Sequence, residues 1–82
     1  MTRTVGKLSL YVTPWARAWM TDAEWETLRS LDIDGNMRMF AASANGPFTI
    51  RLGREGHPLI EKTRHSFAAT FEAVVDAVRE TA

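Results

Sequence analysis

Residues 37–52 read MRMFAASANGPFTIRL. Met37, Met39 and Ala41 alternate with Arg38, Phe40 and Ala42, and farther on Phe48, Ile50 and Leu52 alternate with Thr49 and Arg51. Alternation with period two is the signature of a strand with one buried face. Between the two runs stands Asn45-Gly46, a turn pair, followed by Pro47. The stretch predicts a β-hairpin, and the remaining elements have to cover its apolar face.

Upstream, KLSLYVT (7–13) alternates in the same way, with Leu8, Leu10 and Val12 on one face and Lys7, Ser9 and Tyr11 on the other. It predicts a strand that Pro14 ends. Residues 14–20 have two readings. Thr13 and Pro14 suit the cap and first position of a short helix, with Trp15 and Trp19 on one face, or the segment is an irregular loop. The next signal is local and strong. In MTDAEW (20–25), Thr21 and Glu24 have the spacing of a capping box, and Met20 and Trp25 that of a hydrophobic staple. A helix from about Asp22 to Leu31 follows, with Trp25, Leu28 and Leu31 inward, and DIDGN (32–36) turns the chain into the hairpin.

Downstream, GREG (53–56) is a second turn. Pro58 to about Lys62 reads as a fourth strand, at an edge because it begins with proline. Ser66 to Glu80 reads as a helix, with Phe67, Phe71, Val74, Val75 and Val78 in a buried stripe and Glu72, Asp76 and Arg79 facing out. The order is strand, helix, strand, strand, strand, helix. The fold expected is α+β: a small, mainly antiparallel sheet of about four strands with two helices on one face.

With 82 residues the chain is one domain, 1–82. It buries roughly 60–65% of its unfolded surface. It has no cysteine, which excludes disulfides, thiolate metal sites and cysteine nucleophiles. The apolar run Leu8–Val12 is too short for a signal peptide, and no stretch has the length of a membrane helix. A cytoplasmic protein without a membrane partner is expected.

The formal charge is zero, but its signs come in blocks. Residues 1–20 are net +3, residues 21–34 net −4, residues 35–65 net +3 and residues 66–82 net −2. Eight of the ten cations are arginine, the cation suited to bidentate carboxylate or phosphate contacts.

Motifs for chemistry fail on spacing. Placing Gly35 of DIDGN at the sixth position of a calcium loop puts Ala41 at the twelfth, where a bidentate Glu is required. His57, Glu61 and His65 are spaced by four. On a strand neighbours would lie ~13 Å apart, and on a helix the two histidines ~12 Å apart, against ~2 Å from each ligand to a zinc ion. There is no nucleophile elbow and no phosphate-binding glycine loop. A non-catalytic protein is expected, with no cofactor and no metal.

The sharper feature is the outward side of the sheet. If Leu8, Leu10, Met37, Met39, Phe48 and Ile50 face the helices, then Lys7, Tyr11, Arg38, Phe40 and Arg51 face away. Such a basic face can dock an acidic protein patch, since Arg and aromatics are favoured in interface cores. It can also stack bases and neutralise phosphates, be covered by a second copy, or simply be solvated. Trp15 and Trp19, beside Arg17, either close the open end of the core or anchor an interface. The acidic residues Asp22, Glu24, Glu26, Asp32 and Asp34 could imitate phosphates, a reading that Arg29 weakens. The partner expected is a protein or ribonucleoprotein, with nucleic acid and a homodimer as alternatives. The contact residues expected are Tyr11, Arg38, Phe40 and Arg51 on the sheet, and Trp15, Arg17 and Trp19 at its end.

The short single domain, the turn-rich middle (DIDGN, SANGP, GREG) and the closing helix SFAATFEAVVDAV resemble small inhibitors encoded by phages and prophages, the anti-CRISPR type among them. The resemblance covers the whole chain without a shared motif, so it carries no functional residue over. It implies a protein that inhibits a bacterial defence complex by binding it. The ending also looks like the hairpin-then-helix layout of HicB-type antitoxins, although their acidic, glycine-rich strand signature is missing.

Overall fold

The computed structural model describes residues 10–32 and 36–81. The elements are β1 (Tyr11–Val12), α1 (Pro14–Trp19), α2 (Asp22–Leu31), β2 (Arg38–Ser43), β3 (Phe48–Gly53), β4 (Ile60–Arg64) and α3 (Phe67–Glu80). The four strands form one sheet in the order β1-β2-β3-β4. β1 runs parallel to β2, and β2–β3 and β3–β4 are antiparallel. The fold is α+β, as the alternation predicts.

The hairpin forms in the expected register, with Ala41 opposite Ile50 and Phe40 opposite Arg51. Its turn uses left-handed backbone at Asn45 (φ 57°) and Gly46 (φ 108°). Asn and Gly tolerate this conformation best. Parity then sorts the side chains. Met37, Met39, Ala41, Ile50, Leu52 and Ile60 are buried, and Arg38, Phe40, Ala42 and Arg51 are exposed.

The helices cover the apolar side. α3 packs across β3 and β4, α1 against β2, and α2 against α3. Phe67, Phe71, Val74, Val75 and Val78 are all buried, and Leu28 fills the centre from α2. At the start of α2 the Glu24 N–H donates to Thr21 Oγ1 (3.1 Å) and the Thr21 N–H donates to Glu24 Oε1 (2.9 Å). Both halves of the capping box are present, worth about 1 kcal/mol. Ser66 is the cap of α3, its Oγ accepting from the Ala69 N–H at 3.1 Å. Thr70 is fully buried, its hydroxyl 2.7 Å from the Ser66 carbonyl and 3.1 Å from the Phe48 carbonyl. That hydroxyl links α3 to β3.

Two details differ from the sequence expectation. There are three described helices rather than two, because residues 14–19 take the helical reading. Thr13 is extended (φ −60°, ψ 148°) and Pro14 opens the helix, where its missing N–H costs nothing. β4 begins at Ile60 rather than Pro58 and runs on to Arg64. Proline has no ladder donor, and the first β4 residue to pair is Ile60, opposite Leu52. The sheet is mixed. Two helices separate β1 from β2, enough chain for a crossover to a parallel neighbour. The described part of the first strand is Tyr11–Val12. Lys7, Leu8 and Ser9, and residues 33–35 of the DIDGN turn, lie outside the described residues.

Among the described residues no helix is long and apolar enough to cross a membrane. No three His, Cys, Asp or Glu side chains among them are placed to hold a metal ion. His57, Glu61 and His65 are all exposed.

Candidate functional site

The outward side of the sheet is a small grid whose rows follow from the register. Tyr11 lies beside Arg38. Phe40 lies beside Arg51, and Arg51 beside Glu61. Ala42 lies beside Thr49, and Thr49 beside Thr63. All described helices pack against the other side, so no described helix covers this grid.

Its centre is aromatic. Tyr11 and Phe40 meet edge to face, with centroids 6.0 Å apart and planes at 77°. Such a pair contributes about 0.5–1.5 kcal/mol beyond area burial. Tyr11 is 48% exposed and Phe40 51%. Covering the open half of each ring, on the order of 100 Å² at ~25 cal/mol/Å², gives about 2.5 kcal/mol per ring. Association costs about 4–15 kcal/mol in lost freedom. The rings can therefore anchor an interface but cannot form one alone.

The charges around them are unequal. The Arg51 Nε lies 3.5 Å from Glu61 Oε2, both side chains about half exposed. Such a pair holds geometry more than it stabilises. Arg38 has no carboxylate partner among the described residues. The Thr49 and Thr63 hydroxyls bond each other at 2.9 Å. The described grid thus carries two arginines and one acid. The three helices carry six acids and three arginines, while Lys62 and Arg64 of the basic block share the parity of Ile60 and lie on the helix side of the sheet.

Of the residues singled out in the sequence, Tyr11, Arg38, Phe40 and Arg51 are brought together. Lys7 lies outside the described residues. Trp15, Arg17 and Trp19 are not collected with the four, and each has an intramolecular partner. Trp19 packs edge to face on Phe48 (5.4 Å) and Phe67 (6.1 Å), closing one end of the core. The Arg17 guanidinium lies 4.6 Å from the centre of the Trp25 ring, with Asp22 at 3.7 Å. Trp15 donates its indole Nε1–H to the Ala41 carbonyl at 2.6 Å.

Glu61 is the charged member of the grid that sequence reasoning missed. Its spacing from His57 and His65 drew it into a metal test, whereas its place is set by pairing with Arg51. The expected strand from Pro58 already sets Ile60 and Glu61 on opposite faces; what places Glu61 beside Arg51 is the β3–β4 register. Set against protein-family models, curated proteins and solved structures, the chain matches none of them.

Proposed function

We propose that this chain is a non-catalytic binding protein that acts by occupying a surface of a macromolecular partner. The contact residues are Tyr11, Arg38, Phe40 and Arg51. The observation that supports this is the open sheet face: two half-exposed rings in edge contact, flanked by two arginines and left uncovered by every described helix. An exposed aromatic cluster with arginine is the composition favoured in interface centres. On the resemblance to small phage-encoded inhibitors, the partner is a bacterial defence complex of the CRISPR–Cas type.

Nucleic acid is the alternative occupant of the same face. Two rings and two arginines favour it. Glu61 counts against it, because it sits in the grid and neutralises Arg51. Phosphate-driven binding scales with the number of cations that meet phosphates, and a described face with one unpaired arginine supplies few.

The test is a pair of measurements on native protein and on the Arg38→Ala/Phe40→Ala double variant. The native chain should retain a specific protein from host lysate and the folded variant should not. Labelled single- and double-stranded oligonucleotides should show no anisotropy change at ~50 mM salt, where phosphate contacts are strongest. Equal retention by the variant, or tight oligonucleotide binding, would sink the protein-partner reading.

A further inference from the structure

The two outer edges of the sheet are protected differently. On the β4 edge, alternation points the Glu61 and Thr63 backbone groups away from β3. Glu61, Lys62 and Arg64 crowd that edge with charge, and Arg64 Nη1 donates to the Thr63 carbonyl at 2.7 Å. Charged side chains of this kind discourage a second strand from pairing.

The other edge carries a ladder that changes character partway. The Tyr11 N–H donates to the Met37 carbonyl (3.0 Å), and the Thr13 N–H to the Met39 carbonyl (3.4 Å). A strand continuing straight would next offer the backbone N–H of residue 15 to Ala41. The chain has instead turned into α1 at Pro14. Trp15 still fills the position, but with its side chain, the indole Nε1–H donating to the Ala41 carbonyl at 2.6 Å. Two residues farther on, the same alternation points the Ser43 N–H and C=O out of the sheet. Among the described residues neither has a backbone partner. No charged residue occurs between Arg38 and Arg51, so this end of β2 lacks the protection that β4 has. Trp15 is 52% exposed. Its position is explained by the edge bond and not by burial.

We infer that Trp15 is an edge guard, and that the surface it closes, the outer edge of β2 at residues 41–43, is a strand-pairing surface whose occupant is a second copy of this chain. The edge is self-complementary. Antiparallel pairing about Ala42 sets Ala41 of one copy beside Ser43 of the other, twice over, with small uncharged side chains and no like charges opposed. Such a contact is two-fold and closes at the dimer. While the indole holds the Ala41 carbonyl, one of the two acceptors that pairing needs in each copy is taken.

The test is the solution mass by light scattering, across a concentration series, of the native chain, Trp15→Phe, Ser43→Pro and the double variant. Phenylalanine keeps a ring and loses the donor. Proline removes the outward N–H of Ser43, a substitution edge strands accept. Trp15→Phe should double the native mass at the top of the series and go no further. The double variant should return to the native mass, and Ser43→Pro alone should not change it. An unchanged mass for folded Trp15→Phe, a doubling that Ser43→Pro does not reverse, or open-ended growth would each overturn the inference. Should Trp15→Phe fail to fold by circular dichroism, indole hydrogen exchange in the native chain decides. Trp19 is less exposed than Trp15 (38% against 52%) and has no indole bond among the described residues. Burial alone would make Trp15 the faster exchanger, and the edge bond makes it the slower. Faster exchange at Trp15 overturns the inference.

Discussion

The two sides of this sheet are built from the same strands and end in opposite roles. Ala41 is buried and Ala42, its neighbour, is exposed. Phe48 is half-buried against Trp19 and Phe67, whereas Phe40 stands open beside Tyr11. Residue type does not separate these pairs; parity and the placement of the helices do. The helix-covered side is therefore where stability should concentrate, and the open side where substitutions should change binding and leave the fold intact.

The largest effect expected is on the covered side. Ile50 is fully buried in the central hairpin. Ile50→Ala removes its transfer energy and leaves a cavity, a loss of about 2–5 kcal/mol. Urea unfolding reads it as a lower midpoint at constant slope. A loss under about 1 kcal/mol would mean that the two sides do not differ as described.

Next comes Thr70, a buried polar residue on that side. Thr70→Val keeps the shape and removes the hydroxyl that reaches the Phe48 carbonyl. The expected cost is about 1 kcal/mol. In a thermal melt of a domain this small it is a drop of roughly 4–8 °C. No change would show that α3 is held on β3 by apolar packing alone.

Much of this contrast can be read from the residues, for physical reasons. The alternation in 37–43 and 48–52 is local and strict, so the hairpin and its inward set follow directly. The Thr21–Glu24 box and the Phe67–Val78 stripe are likewise local, and α2 and α3 form within a residue of their expected ends. What could not be read depends on distant pairing. Nothing between residues 14 and 20 says that Trp15 will find the Ala41 carbonyl, 26 positions away. Nothing near Glu61 says that it will meet Arg51, because that follows from the register of β4 against β3. The open face was half legible for the same reason. Parity supplied Tyr11, Arg38, Phe40 and Arg51, and the strand partner supplied the acid that balances one of them.

On the open side effects on stability should be smaller. Phe40→Ala forfeits the edge contact with Tyr11, about 0.5–1.5 kcal/mol. Its effect on partner binding should exceed its effect on folding, with hot-spot losses of about 2 kcal/mol or more. Retention from lysate and urea unfolding on the same preparation give both quantities. If the loss of retention merely follows the loss of folded protein, Phe40 is part of the fold and not of a contact surface.

The smallest stability effect, and the most pointed test of the open side, is Glu61→Gln. It removes the acid from the grid and leaves Arg51 unpaired. Both side chains are about half exposed, so the pair contributes at most a few tenths of a kcal/mol after solvent screening, and the unfolding midpoint should hardly move. The charge of the described face doubles from +1 to +2, because Arg38 and Arg51 then stand without an acid beside them. A nucleic-acid face should respond by binding oligonucleotides more tightly at low salt, with a steeper salt dependence by about one counterion. A face shaped for a protein gains nothing toward oligonucleotides. It loses affinity wherever Glu61 holds the Arg51 guanidinium in place for the partner. The sign of the change, more than its size, tells which occupant the arginines serve.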